Sequence, residues 1–196
     1  MAKNKTLFKY PNRNSLIEQG LFLADMHFHP NFTESNYLNN NLIIKTLNKN
    51  NTNLAVTDHN AIQSAVIMSK SRNIIPGIEV IPSEGIHLMY YFSRISELNE
   101  FYTKYIKPNI DPRMYTYLNI SLDDVIDYSR NYECVSCIPH PFTYFSYGVN
   151  NTIKNILKRK KIDCVESING FITHNLNLKA VEISKNINVG ITGGSD

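Results

Sequence analysis

Several things are scarce in this chain, and each scarcity closes off a class of protein. No run of about 18 apolar residues is present, so no segment is long enough to span a bilayer as a helix. The first thirty residues lack a basic start, a sustained apolar stretch and a small-residue cleavage site, so no export signal is expected. Lys and Arg exceed Asp and Glu by only three charges, well short of the dense basic surface that non-specific nucleic-acid binders carry. Three cysteines, Cys134, Cys137 and Cys164, are too few for a disulfide scaffold. The CVSC stretch does match CxxC. In a β-rich run, however, residues three apart face opposite ways, and no second Cys/His pair lies near enough in sequence to complete a tetrahedral zinc site. These thiols are expected in the core. A GxSxG elbow, a P-loop and internal repeats are also missing, which argues against a serine nucleophile and a Walker-type nucleotide site. What remains is a soluble, cytoplasmic globular chain.

At 196 residues and 42% hydrophobic, the chain is long enough to bury a real core. After a polar lead-in over residues 1–20, β-branched runs alternate with helical patterns, which predicts an α/β fold of parallel strands over 21–196. Strands are expected near 21–28, 54–58, 74–80, 86–92, 134–139, 162–167 and 189–193. Helices are expected over 38–49, 61–70, 95–106, 121–130, 151–160 and 174–187, with Ser121 capping the fourth and Asp123 and Asp124 in its first turn. Residues 107–120 read as an excursion.

On this map the chemically capable side chains gather at strand ends. Asp25, His27 and His29 close the first strand, Asp58 and His59 the second, Glu79 the third, His140 the fifth, Glu166 the sixth and Asp196 the seventh; His87 belongs to the fourth. In α/β sheets and barrels the C-terminal strand edge is where sites are assembled. His27 and His29, two apart on a strand, project from one face and suit a shared metal ion, and Asp25 beside them suits the orientation of an imidazole. Glu79, flanked by Ile78 and Val80, is a carboxylate inside a buried strand and must be paired with a cation or ligate a metal. His140 sits between Pro139 and Pro141 in a rigid frame. Glu166 fits either a ligand-facing carboxylate or an exposed strand end. Asp196 follows Gly193 and Gly194, which allow close backbone approach, and is otherwise a frayed terminus. The basic LKRKK at 157–161 and the aromatic FTYFSYG at 142–148 read as a solvated helix face and as packing.

Taken in order, DMHFH, TDHN, PGIEV, GIHLMYY, IPHP, VESING and GGSD resemble the motif series of the PHP (polymerase and histidinol phosphatase) family, from about residue 21 to the last residue. The resemblance implies an irregular (β/α)7 barrel with two or three Mn, Fe or Zn ions at its C-terminal face. It implies as ligands His27, His29, His59, Glu79, His140 and Asp196, with Glu79 bridging ions, and Asp25 and Asp58 as partners of ligands. His87 is counted with the ligands. Glu34 stands near the place where relatives have a further aspartate or histidine. Relatives continue beyond GGSD to another histidine, so the last part of the barrel is expected to be missing. The activity implied is metal-dependent phosphoester hydrolysis through a metal-bound hydroxide, on a small phosphomonoester or nucleotide, with Asp58 or His140 moving the proton to the leaving group. The alternatives are a nuclease acting on nucleic-acid ends by the same chemistry, and a non-catalytic PHP-like fragment.

Overall fold

A computed structural model of the chain describes residues 12–30, 39–113, 117–143, 153, 155–157 and 162–196. Seven strands lie in a single sheet in chain order: β1 Leu23–Phe28, β2 Thr52–Val56, β3 Ile74–Val80, β4 Leu88–Phe92, β5 Cys134–Ile138, β6 Cys164–Asn169 and β7 Gly190–Gly194. The sheet curls until β7 returns to β1. There Ser195 donates its backbone N–H to Asp25 (2.9 Å) and Asp196 donates its own to the His27 carbonyl (2.8 Å), leaving a nearly closed barrel.

All pairings are parallel except those of β4, which runs antiparallel to both β3 and β5. This corrects the expectation of uniformly parallel strands. The connection over 81–87 is too short for a crossover, which needs a dozen or more residues, so β4 has to return antiparallel to β3. The reversal has a consequence for chemistry. His87 directly precedes β4, and at the start of an antiparallel strand it reaches the same barrel end as the C-termini of the others.

The helices are α1 Arg13–Glu18, α2 Asn40–Asn50, α3 Gln63–Met68, α4 Ile95–Phe101, α5 Leu122–Ser129 and α6 His174–Ile187. The helix expected over 95–106 ends as α at Phe101 and continues as a π-helical turn, Tyr102–Ile106, and a 3-10 turn, Lys107–Asn109. Ser121 caps α5 as its sequence predicts, accepting from the Asp124 N–H at 3.1 Å. The helix α1 inside the polar lead-in was not expected; it buries no residue and is capped by Asn12. Of the helix expected over 151–160, residues 153 and 155–157 are helical and the others lie outside the described residues, as do Glu34, most of LKRKK and residues 144–148 of FTYFSYG.

Outward strand residues such as Val56, Ile78, Leu88, Tyr90, Ile138 and Val165 pack with helix residues such as Leu98, Phe101, Val125 and Ile183 into the main core. The inward face carries a smaller cluster of Ala55, Met89, Tyr91, Cys137 and Cys164. Cys137 and Cys164 are therefore buried core thiols, and Cys134 is half-buried against the main core, where burial pushes its thiol up to about 12 and keeps it protonated. No helix among the described residues is long and apolar enough to cross a membrane.

Candidate metal centre

Strand alternation sends Ile78 and Val80 outward into the core, and the carboxylate of Glu79, fully buried, into the barrel. Its two oxygens divide the histidines between them. Glu79 Oε2 stands 3.1 Å from the Nε2 atoms of His27, His29 and His59. Glu79 Oε1 faces His87 Nδ1 at 2.5 Å and His140 Nε2 at 3.3 Å. The Asp196 Oδ1 atom lies 3.4 Å from both His27 and His29 Nε2. Seven donor residues, on or beside the ends of six strands, thus meet at one barrel end. Three sets have donor atoms within 4.8 Å of one another: His27, His29 and Glu79; His59, Glu79 and His87; and His27, His140 and Asp196. His27 Nε2 and His29 Nε2 face each other at 3.0 Å, an arrangement of two ring nitrogens that suits a cation held between their lone pairs.

The ionisation of the cluster follows from one buried carboxylate shared by many rings. Burial disfavours a charged His27, yet hydrogen bonds and charge from Glu166 and Glu79 outweigh it and raise its pKa to about 11. For His29, burial is likewise overcome by bonds to Asp196 and Glu79, giving about 9. Glu79 is held well below the usual carboxylate range: burial opposes its charge, and bonds from His140, His27, His29 and His59 prevail. Asp196 is lowered in the same way by His29, His27 and Asn169. His87 goes the other way, with burial lowering its pKa despite the contact to Glu79. Glu79 cannot keep every ring that surrounds it charged.

Behind the cluster stands Glu166, fully buried on β6. Its Oε1 meets His27 Nδ1 at 3.0 Å, and its Oε2 accepts the His140 backbone N–H at 2.8 Å. This settles the two readings of VESING: Glu166 is no exposed strand end. It also corrects the expectation for Asp25, whose carboxylate accepts backbone N–H groups of His27 (3.2 Å) and Ser195 (2.9 Å) and so ties β1 to β7. The imidazole partner is Glu166. Asn169 completes the arrangement, donating through Nδ2 to both Glu166 Oε2 and Asp196 Oδ2 at 2.9 Å each. Sequence reasoning passed over Asn169, and the signal for Glu166 was the one used for Glu79, a carboxylate within a buried β-run. Asp58 is 1% exposed and absent from the described lining of the cavity.

That cavity, of about 530 Å³, opens beside the cluster. His29, His59, His87, His140 and Asp196 form one end; Phe28, Phe171, Ile172 and Leu176 form an apolar wall; Thr143, Thr173 and Ser195 add hydroxyls. No Lys or Arg is among the described residues that line it.

No family profile matches this sequence, and no curated protein does. Solved structures do. An amidohydrolase from Chromobacterium violaceum, with bound sulfate and no metal, superposes with a TM-score of 0.67 at 14% identity over 88% of this chain and 86% of that one. A two-domain protein from Bacteroides vulgatus, containing a predicted PHP-like metal-dependent phosphoesterase, gives 0.62 at 12% identity over 89% and 51%. The chain folds as a PHP-type barrel. A lesion-specific endonuclease from Pyrococcus furiosus shares this architecture, with a TM-score of 0.59 at 18% identity over 73% of this chain and 41% of its own. Within the PHP-type barrel of this chain, six of the seven strands place a donor at the barrel end where the cavity opens, and β6 supplies the carboxylate behind them.

Proposed function

We propose that this PHP-type barrel is a metal-dependent phosphoesterase that hydrolyses a small phosphomonoester or nucleotide. The observation that carries the reading is the convergence of five imidazoles, Glu79 and Asp196 on one cavity end. Nitrogen and oxygen donors in this mixture suit Mn, Fe or Zn, and the donor sets give room for two or three ions. His59, Glu79 and His87 would hold one. His27 has a single ring nitrogen to give, Nε2, because Nδ1 meets Glu166, so it would serve one further ion, with His140 and Asp196 or with His29 and Glu79, and the donors left over would take a third. Such ions, when bound, clamp phosphoryl oxygens and make a water nucleophilic at neutral pH.

The chain's own groups supply the rest. His140, at the cavity edge with its backbone held by Glu166, is the candidate to give a proton to the leaving oxygen. Asp58 is the other proposed proton carrier, and its burial, away from the described lining of the cavity, makes it the weaker candidate. The hydroxyls of Thr143, Thr173 and Ser195 line the same cavity and would be the neutral hydrogen-bonding groups available to a phosphoryl group there. Both the volume and the charge of the cavity favour a small substrate: about 530 Å³ accepts a compact ester, and a nucleic-acid strand calls for basic residues that the described lining lacks.

The test is a manganese-supplemented panel of p-nitrophenyl phosphate, nucleoside monophosphates, bis-p-nitrophenyl phosphate and an end-labelled DNA duplex. Turnover of monoesters above diester and DNA is expected. Cleavage of DNA with monoesters untouched would replace this reading with the nuclease, and no turnover from a metal-loaded chain would leave only the non-catalytic one.

A further inference from the structure

Of the three donor sets, one has a feature the others lack. Each of its members is held from outside the cluster by the same two side chains. Glu166 fixes His27 through the ring, because its Oε1 lies 3.0 Å from Nδ1 and so leaves Nε2 to face the centre. It fixes His140 through the backbone, accepting the N–H at 2.8 Å. That bond matters because His140 has a φ of +26°, a left-handed conformation that costs a non-glycine residue energy and has to be held by its surroundings. The third member, Asp196, is held by Asn169 Nδ2, the same amide nitrogen that donates to Glu166 Oε2. Asn169 is itself locked: Asn177 accepts from its backbone N–H (2.9 Å) and donates to its carbonyl (3.0 Å), while its Oδ1 accepts from the N–H groups of Phe171 and Ile172. Among the described contacts, neither Glu166 nor Asn169 touches His59 or His87.

We propose that Glu166 and Asn169 are a positioning pair dedicated to one ion subsite, that of His27, His140 and Asp196, and that the subsite of His59, Glu79 and His87 stands without them. The proposal rests on the reading of the cluster as a metal centre and adds that its subsites are separately supported. Cation occupancy of the first therefore depends on β6, which carries no donor of its own.

The experiment measures manganese per chain by elemental analysis after desalting, and affinity by competition with a chromophoric chelator, for the wild type, Glu166→Gln, Asn169→Ala and Ser121→Ala. Removing an outer partner of a ligand typically weakens metal binding ten- to a hundredfold. Glu166→Gln and Asn169→Ala are each expected to lose one ion per chain, or to bind one ion about ten- to a hundredfold more weakly, with the remaining complement intact. Ser121→Ala, which removes the cap of α5 and touches no residue of the cluster among the described contacts, keeps the full count. A second readout needs no metal: the His27 Hδ1 proton of the metal-free chain, hydrogen-bonded to Glu166, is expected as a downfield, slowly exchanging NMR signal that vanishes in Glu166→Ala and persists in Ser121→Ala. Variants that fold and keep every ion, or that lose all ions together, overturn the dedicated pair; so does an unchanged Hδ1 signal in Glu166→Ala. A wild-type chain that binds no ion while showing that signal overturns the metal centre instead.

Discussion

Gly194 of β7 lies against His27 of β1 so closely that a methyl group on Gly194 would stand 2.3 Å from the His27 Cβ and 2.5 Å from its backbone nitrogen. Here the barrel closes, and a histidine of the donor cluster is pressed against the seam. Only glycine fits, and the obstacle is backbone and Cβ, which have no rotamer to escape into. Gly194→Ala is therefore expected to push β7 from β1, costing about 1–3 kcal/mol of stability as overpacking does. Because Asp25, Ser195 and Asp196 bridge the same seam, the variant should also bind manganese more weakly. Thermal unfolding with and without manganese checks both.

Metal binding should expel protons. With pKa values raised to about 11 and about 9, His27 and His29 are protonated at pH 7 in the metal-free chain, and a ligating imidazole must be neutral. About two protons should be released as the ions bind. Calorimetric titration with manganese in buffers of different ionisation enthalpy measures this number directly, and a value near zero would show that the rings are neutral beforehand.

The same two rings set how stability depends on pH in the absence of metal. A histidine raised above its unfolded value of 6.5 contributes stability that is fully present below 6.5 and lost as pH rises through the folded pKa. His29 loses its contribution between 6.5 and about 9, and His27 goes on losing up to about 11. His87, lowered by burial, is neutral at the alkaline end and does not oppose the trend there. Glu79, lowered, contributes stability above 4.5 that is lost only as pH falls through its folded value, outside this window. Denaturant midpoints of the chelator-treated chain should fall from pH 7 to 9, and manganese should flatten the slope.

Phe171 is 82% exposed at the cavity wall, so it contributes little to folding and is free to meet a substrate. Phe171→Ala should leave the unfolding temperature unchanged. It should raise KM for aryl phosphates by about three- to tenfold, the loss of about 1 kcal/mol of aromatic contact, with kcat retained. A fall in kcat at constant KM would place Phe171 in the chemistry instead.

The sequence was most legible where a local rule has few solutions. All seven strands lie where alternation and β-branching place them, within about two residues at most ends, and Ser121 caps α5 as its pattern predicts. That His27, His29, His59, Glu79, His87, His140 and Asp196 gather at one barrel end could be read because side chains of ligand type at strand ends are conspicuous and a buried carboxylate demands a partner. What could not be read depends on distant pairing. The direction of β4 follows from a short connection whose length only the structure defines. The exchange of roles between Asp25 and Glu166 arises because the Glu166 side chain on β6 reaches His27 on β1, 139 residues away in the chain, only when the sheet curls. Asn169 is an ordinary turn residue by sequence, and its place between Glu166 and Asp196 is a tertiary fact.

The account stands or falls on whether the cluster holds ions that do chemistry. The deciding measurement is metal content per chain by elemental analysis of protein prepared without chelator, paired with manganese-dependent hydrolysis of p-nitrophenyl phosphate, for the wild type and for His27→Ala/His29→Ala. Two or more ions per wild-type chain, with both metal and turnover lost in the folded variant, is the result the account predicts. A folded wild-type chain with less than one ion and no turnover under manganese would contradict it.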